Sequence, residues 1–67
     1  MKFSAERLKE ARKKKGLSQR DLAEKVKVSQ ASISWFESGD TIPSGNKIGL
    51  LADALDVSID YLYGRGE

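Results

Sequence analysis

A chain of 67 residues has room for one small domain, which buries only about 60% of its unfolded surface. It contains no cysteine and no histidine, which excludes disulfides, thiolate and imidazole metal sites and the commonest general base. The net charge is +2, no apolar run approaches the roughly 18 residues that span a bilayer, and Met1-Lys2-Phe3-Ser4-Ala5-Glu6 lacks the apolar stretch of a signal peptide. These features predict a cytoplasmic protein, one domain over residues 1–67, with no cofactor, metal or membrane partner and no enzymatic activity.

One local pattern recurs along the chain. A serine follows an apolar residue or proline, and another apolar residue stands four positions later. The sets are Phe3-Ser4-Leu8, Leu17-Ser18-Leu22, Val28-Ser29-Ile33, Pro43-Ser44-Ile48 and Val57-Ser58-Leu62. A serine oxygen at an N-cap satisfies a free N–H at a helix start, and the flanking apolar pair forms a hydrophobic staple. Asp21 at the third position after Ser18 adds a partial capping box. Stops match the starts: Gly16 follows Lys13-Lys14-Lys15, Gly39 closes a third segment, Asp56 lies just past a fourth and Gly64 closes a fifth.

The expected helices lie near 5–15, 19–26, 30–38, 45–55 and 59–63, and no segment alternates with the period of a strand. The fold class is all-α, a compact five-helix domain. Its predicted core is Leu8, Ala11, Leu17, Leu22, Ala23, Val26, Val28, Ile33, Phe36, Ile48, Leu51, Ala52, Leu55, Val57 and Leu62. The fourth helix is the weakest, because Gly45 and Gly49 each cost about 1 kcal/mol relative to alanine.

Charge is unevenly placed. Residues 1–27 hold ten basic residues against four acidic, a balance of +6, while residues 28–67 hold two basic against six acidic, a balance of −4. Such a dipolar domain suits a polyanionic partner, although a solvated lysine-rich first helix would produce the same asymmetry.

Residues 18–38 read as two short helices joined by a tight turn. The segment Ser18-Gln19-x-x-Leu22-Ala23-x-x-Val26-x-Val28-Ser29-x-x-x-Ile33-Ser34-x-Phe36-Glu37-x-Gly39 resembles the helix-turn-helix of the phage repressor and Cro (XRE-type) family. The likeness continues through Pro43-Ser44, Leu51-Ala52-x-Ala54-Leu55-x-Val57-Ser58 and Asp60-Tyr61-Leu62. The resemblance implies a lambda-repressor-like domain that binds double-stranded operator DNA and regulates transcription, most often as a repressor. It also implies a homodimer on a near-palindromic site, monomeric or not when free.

Residue by residue, the likeness assigns a phosphate contact to Gln19 and backbone-phosphate contacts to Asn46 and Lys47. It assigns base-contacting or groove-facing positions to Ser29, Gln30, Ala31, Ser34 and Trp35, and a helix-joining salt bridge to Arg12 and Glu37. Two departures stand out: Lys27 replaces a frequent turn glycine, and Asp40-Thr41-Ile42 replaces residues that are often basic.

An independent reading follows from helical geometry. With Ile33 and Phe36 inward, about 100° per residue places Ala31 and Trp35 on the opposite face, flanked by Ser34 and Ser38. Gln30, on the first turn, can pair with adenine N6 and N7; the alternatives are a solvated glutamine or a brace bonded to Gln19. Trp35 could meet thymine methyls or deoxyribose, enter a partner protein, or fold back over the motif. The third helix carries no lysine or arginine, so phosphate affinity falls to Lys47, Arg20 and Lys13 or Lys14.

Leu50, Ile59, Tyr61, Leu62 and Tyr63 supply apolar contact area for a dimer seam. The same residues would serve a second function class, an antitoxin or other protein-interaction module on this scaffold. Glu6, Glu10, Asp21 and Glu24 lie on charge-mixed helix faces and read as solvated partners of neighbouring lysines rather than as acid–base catalysts.

Overall fold

In the computed structural model, which describes residues 2–64, five α-helices follow one another with no strand among the described residues. They are α1 (Ala5–Lys14), α2 (Gln19–Val26), α3 (Gln30–Ser38), α4 (Gly45–Leu55) and α5 (Ile59–Leu62). Each starts on one of the five predicted serines, whose hydroxyl accepts an N–H three residues on. Ser4 accepts from Arg7 at 3.2 Å, Ser18 from Asp21 at 2.9 Å, Ser29 from Ser32 at 3.1 Å, Ser44 from Lys47 at 3.4 Å and Ser58 from Tyr61 at 3.0 Å. Each cap satisfies one donor that the helix itself leaves unpaired, worth about 1 kcal/mol. At Ser18 the capping box is complete, because Asp21 Oδ2 accepts from the Ser18 N–H at 3.1 Å. That backbone bond first, and the serine hydroxyl second, hold the Asp21 carboxyl below the usual carboxylate range.

Two boundaries differ from the sequence expectation. α1 ends at Lys14 rather than residue 15, and α5 at Leu62 rather than residue 63, because Lys15 and Tyr63 serve as C-caps. α2 and α4 end without glycine, on Lys27 (φ 60°, ψ 47°) and Asp56 (φ 57°, ψ 40°), both left-handed. The turn after α2 therefore does require positive φ, and lysine supplies it under strain. Asp56 was expected only to follow α4. Its carboxylate accepts from Lys15 Nζ, which ties the ends of α1 and α4 together and lowers the Asp56 carboxyl.

Every helix contributes one side chain wholly shut from solvent: Leu8, Leu22, Ile33, Leu51 and Leu62. Around them α2 packs on α3 and α4, α1 on α3 and α5, and α4 on α5. Leu17, Val28 and Val57, predicted as core, are only half-buried. They sit in the connections, just before the serine caps, and cover the rim of the core rather than fill it. Pro43, which the periodicity did not mark, is buried.

Candidate nucleic-acid interface

The position of α3 is set from both ends. At its start the Ala23 carbonyl accepts from the N–H groups of Lys27 and Val28, closing α2 and turning the chain sharply into Ser29. At its end the Trp35 carbonyl accepts from Gly39, Asp40 and Thr41. Gly39 makes this possible with φ 86°.

The inward side of α3 is locked. Ile33 and Phe36 enter the core. One position beyond Phe36, the Glu37 carboxylate meets a guanidinium from α1: Arg12 Nε donates to Oε2 at 2.6 Å and Nη2 to Oε1 at 3.2 Å. Arg12 Nη1 donates to the Leu17 carbonyl at 2.7 Å, and Gln19 Nε2 donates to Glu37 Oε1 at 3.1 Å. Only 10% of the arginine side chain and 3% of the glutamate side chain is exposed. The cluster joins α1, the α1–α2 connection, α2 and α3, and no buried side-chain polar atom among the described residues lacks a partner.

The outward side is the reverse. Gln30, Ala31, Ser34, Trp35 and Ser38 are exposed. Among the described residues no hydrogen bond occupies the side chain of Gln30, Ser34 or Trp35. The Gln19 amide donates to Glu37 and not to Gln30, so no glutamine–glutamine brace forms. Ser29 is occupied as the cap and by the Ser32 hydroxyl at 2.9 Å. Ser38 Oγ lies 3.1 Å from the Trp35 carbonyl and 2.9 Å from Asp40 Oδ2, so its hydrogen closes the helix end.

The residues assigned to phosphates differ in exposure. Gln19 is half-buried, but its amide keeps a second N–H beyond the bond to Glu37. Arg20 is exposed and lies 3.7 Å from Glu24 one turn on; Lys13 and Asn46 are exposed and Lys47 is half-buried in the first turn of α4. The apolar candidates divide. Leu50 and Ile59 are 45% and 48% exposed, whereas Tyr61 and Tyr63 pack partly on the core and Leu62, wholly buried in it, offers no contact area. Arg7 covers the Tyr61 ring at 4.7 Å and donates to its carbonyl at 3.1 Å. Ile42, not singled out as apolar surface, is 69% exposed.

Residues 8–62 match the sequence pattern of the helix-turn-helix family. The chain belongs to the helix-turn-helix family. The transcriptional repressor RstR of cryptic phage CTXphi, from Vibrio cholerae, is 38% identical over 60 residues, which cover 90% of this chain and 54% of that protein. The chain spans about half the length of the curated relatives it matches. Among solved structures, the P22 c2 repressor in complex with synthetic operator 9T superposes with a TM-score of 0.89 at 36% identity, covering 100% of both chains. The biofilm regulator SinR in complex with DNA gives a TM-score of 0.81 at 36% identity, over 87% of this chain and 94% of that one. In this helix-turn-helix domain, Gln19–Val26 and Gln30–Ser38 are the paired helices, and the unengaged face belongs to the second of them. Among the described residues there is no acidic cluster fit for a metal ion and no helix long and apolar enough to cross a membrane.

Proposed function

We propose that this chain is a sequence-specific DNA-binding transcriptional regulator, acting as a repressor, that inserts α3 into the major groove of an operator. The observation that carries the reading is the contrast within α3: its inward polar group is fully bonded, while the outward side chains of Gln30, Ser34 and Trp35 have no hydrogen-bond partner among the described residues. A helix is about 10–12 Å across and the major groove about 12 Å wide, so a raised helix fits with its side chains against base edges. Relatives that are repressors, and structural neighbours solved with operator or DNA, support the same reading.

In this reading Gln30, Ala31, Ser34 and Trp35 meet bases, with Ser29 at the entry to the groove. Gln19, Arg20, Asn46, Lys47 and Lys13 fix the register through phosphates. The protein acts in the cytoplasm on DNA as a homodimer, whose seam draws on Leu50 and Ile59, the apolar side chains of α4 and α5 that remain uncovered. Selection of bound duplexes from a random pool at stated salt tests the proposal. A two-fold motif with half-sites about one helical turn apart is expected; recovery of unenriched sequence would overturn it.

A further inference from the structure

We propose that Trp35 reads thymine, packing its indole against a 5-methyl group in the major groove and so selecting A·T pairs by apolar contact. This deepens the regulator reading above and rests on it. Trp35 is the only tryptophan in the chain and is 51% exposed near the centre of the outward face. Its backbone is fixed, since its carbonyl gathers the N–H groups of Gly39, Asp40 and Thr41 and the helix closes on that residue. Ala31, one turn earlier on the same stripe, is too small to hold the helix away from the base edges. The thymine methyl is the apolar group that a base pair presents in this groove. α3 carries no lysine or arginine, so contacts from its outward face do not depend on counterion release, and an apolar anchor there keeps its strength as salt rises.

The test uses a duplex recovered by selection, with thymines replaced one at a time by deoxyuridine, which differs only in lacking the methyl group. Binding of the whole chain is followed by emission of Trp35 itself, and by duplex anisotropy for the variants. At one or two positions per half-site the parent is expected to bind the uracil duplex about fourfold more weakly, the value of one methyl-sized contact. Trp35→Ala should bind both duplexes alike, with the salt dependence of the parent, and Trp35→Leu should keep part of the preference. If uracil at every position leaves affinity unchanged while Gln30→Ala still relaxes base preference, thymine reading by Trp35 is overturned and the regulator reading stands. If Trp35→Ala weakens thymine and uracil duplexes equally, with the parent's ratio intact, the ring stacks without reading the methyl and the proposal is likewise overturned. Absence of binding to any duplex sinks both.

Discussion

The inward and outward faces of α3 are built by opposite rules from nine consecutive residues. Inward, Ile33 and Phe36 are buried and Glu37 is held by Arg12 and Gln19. Outward, the side chains of Gln30, Ser34 and Trp35 make no hydrogen bond among the described residues. One side cannot change without loosening three helices, and the other can change at almost no expense to the fold. A scaffold divided in this way can be redirected to a new target by altering a few outward residues. Glu37→Ala probes the division most severely. It strands the Arg12 charge in a site where only 10% of that side chain is exposed, and loss of one partner of a buried pair costs about 3–5 kcal/mol. For a domain of this size the thermal midpoint should fall by at least about 12 °C. Base preference of the molecules that remain folded should not change. A midpoint equal to the parent's would break the comparison.

On the other face the expected losses lie in recognition. Gln30→Ala should remove about 1–3 kcal/mol of discrimination at one A·T pair and leave the midpoint within about 0.5 kcal/mol of the parent's stability. Lys47→Ala, by contrast, should weaken all sequences alike and flatten the salt dependence by about one unit. Selection from random duplexes and titration at several salt concentrations separate the two behaviours. A Gln30→Ala protein that unfolds early would show that the outward face is structural after all.

Most of the fold was legible because its punctuation is local. A serine cap with its staple needs only six consecutive residues, and the five caps were read correctly from Ser4, Ser18, Ser29, Ser44 and Ser58. Helix ends were less legible, since the last turn is decided by tertiary neighbours. Asp56 adopts left-handed backbone while bonded to Lys15, which is distant in sequence, and no local pattern announces that pairing. The same holds within the candidate site. The outward direction of Ala31, Ser34 and Trp35 followed from helical angle alone, but the engagement of Gln19 with Glu37 depends on how α2 crosses α3. Burial of Pro43 likewise depends on where the loop after α3 folds back.

Between the two faces stands the turn that orients them, and there the strain is small enough to be removed. Lys27→Gly should relieve the left-handed lysine by about 1 kcal/mol. Gly49→Ala, the opposite exchange, should stabilise by a similar amount of about 1 kcal/mol. Gly49 is helical, and a Cβ there would meet nothing within 4 Å. Each should raise the thermal midpoint by about 4–8 °C and leave base preference untouched, because neither alters the outward face of α3. Scanning calorimetry together with the selected motif checks both. A gain in stability accompanied by altered preference would mean that the turn also tunes how α3 is presented.

The smallest effect distinguishes exposure from availability. Asp21 and Asp56 are both on the surface, yet both are engaged, and each carboxyl lies below its ordinary value of 3.8. For Asp21 the first cause is the Ser18 N–H and the second the Ser18 hydroxyl. For Asp56 the cause is Lys15. A carboxyl whose folded-state pKa is depressed contributes stability that is full above its unfolded value and is lost as pH falls through the folded one. The parent should therefore weaken as pH drops below about 4, and Asp21→Asn should weaken less, since asparagine still accepts the Ser18 N–H without titrating. Asp56→Asn should also flatten the profile, but its difference from the parent should vanish at high salt, where an exposed ion pair is screened. The Asp21→Asn difference should persist, because the N–H bond lies at close range within one turn. Urea midpoints at neutral and acidic pH, at low and high salt, measure all of this. If both differences vanish together on adding salt, Asp21 is held by surrounding cations rather than by its cap. It would then join the loosely held surface charges instead of the engaged ones.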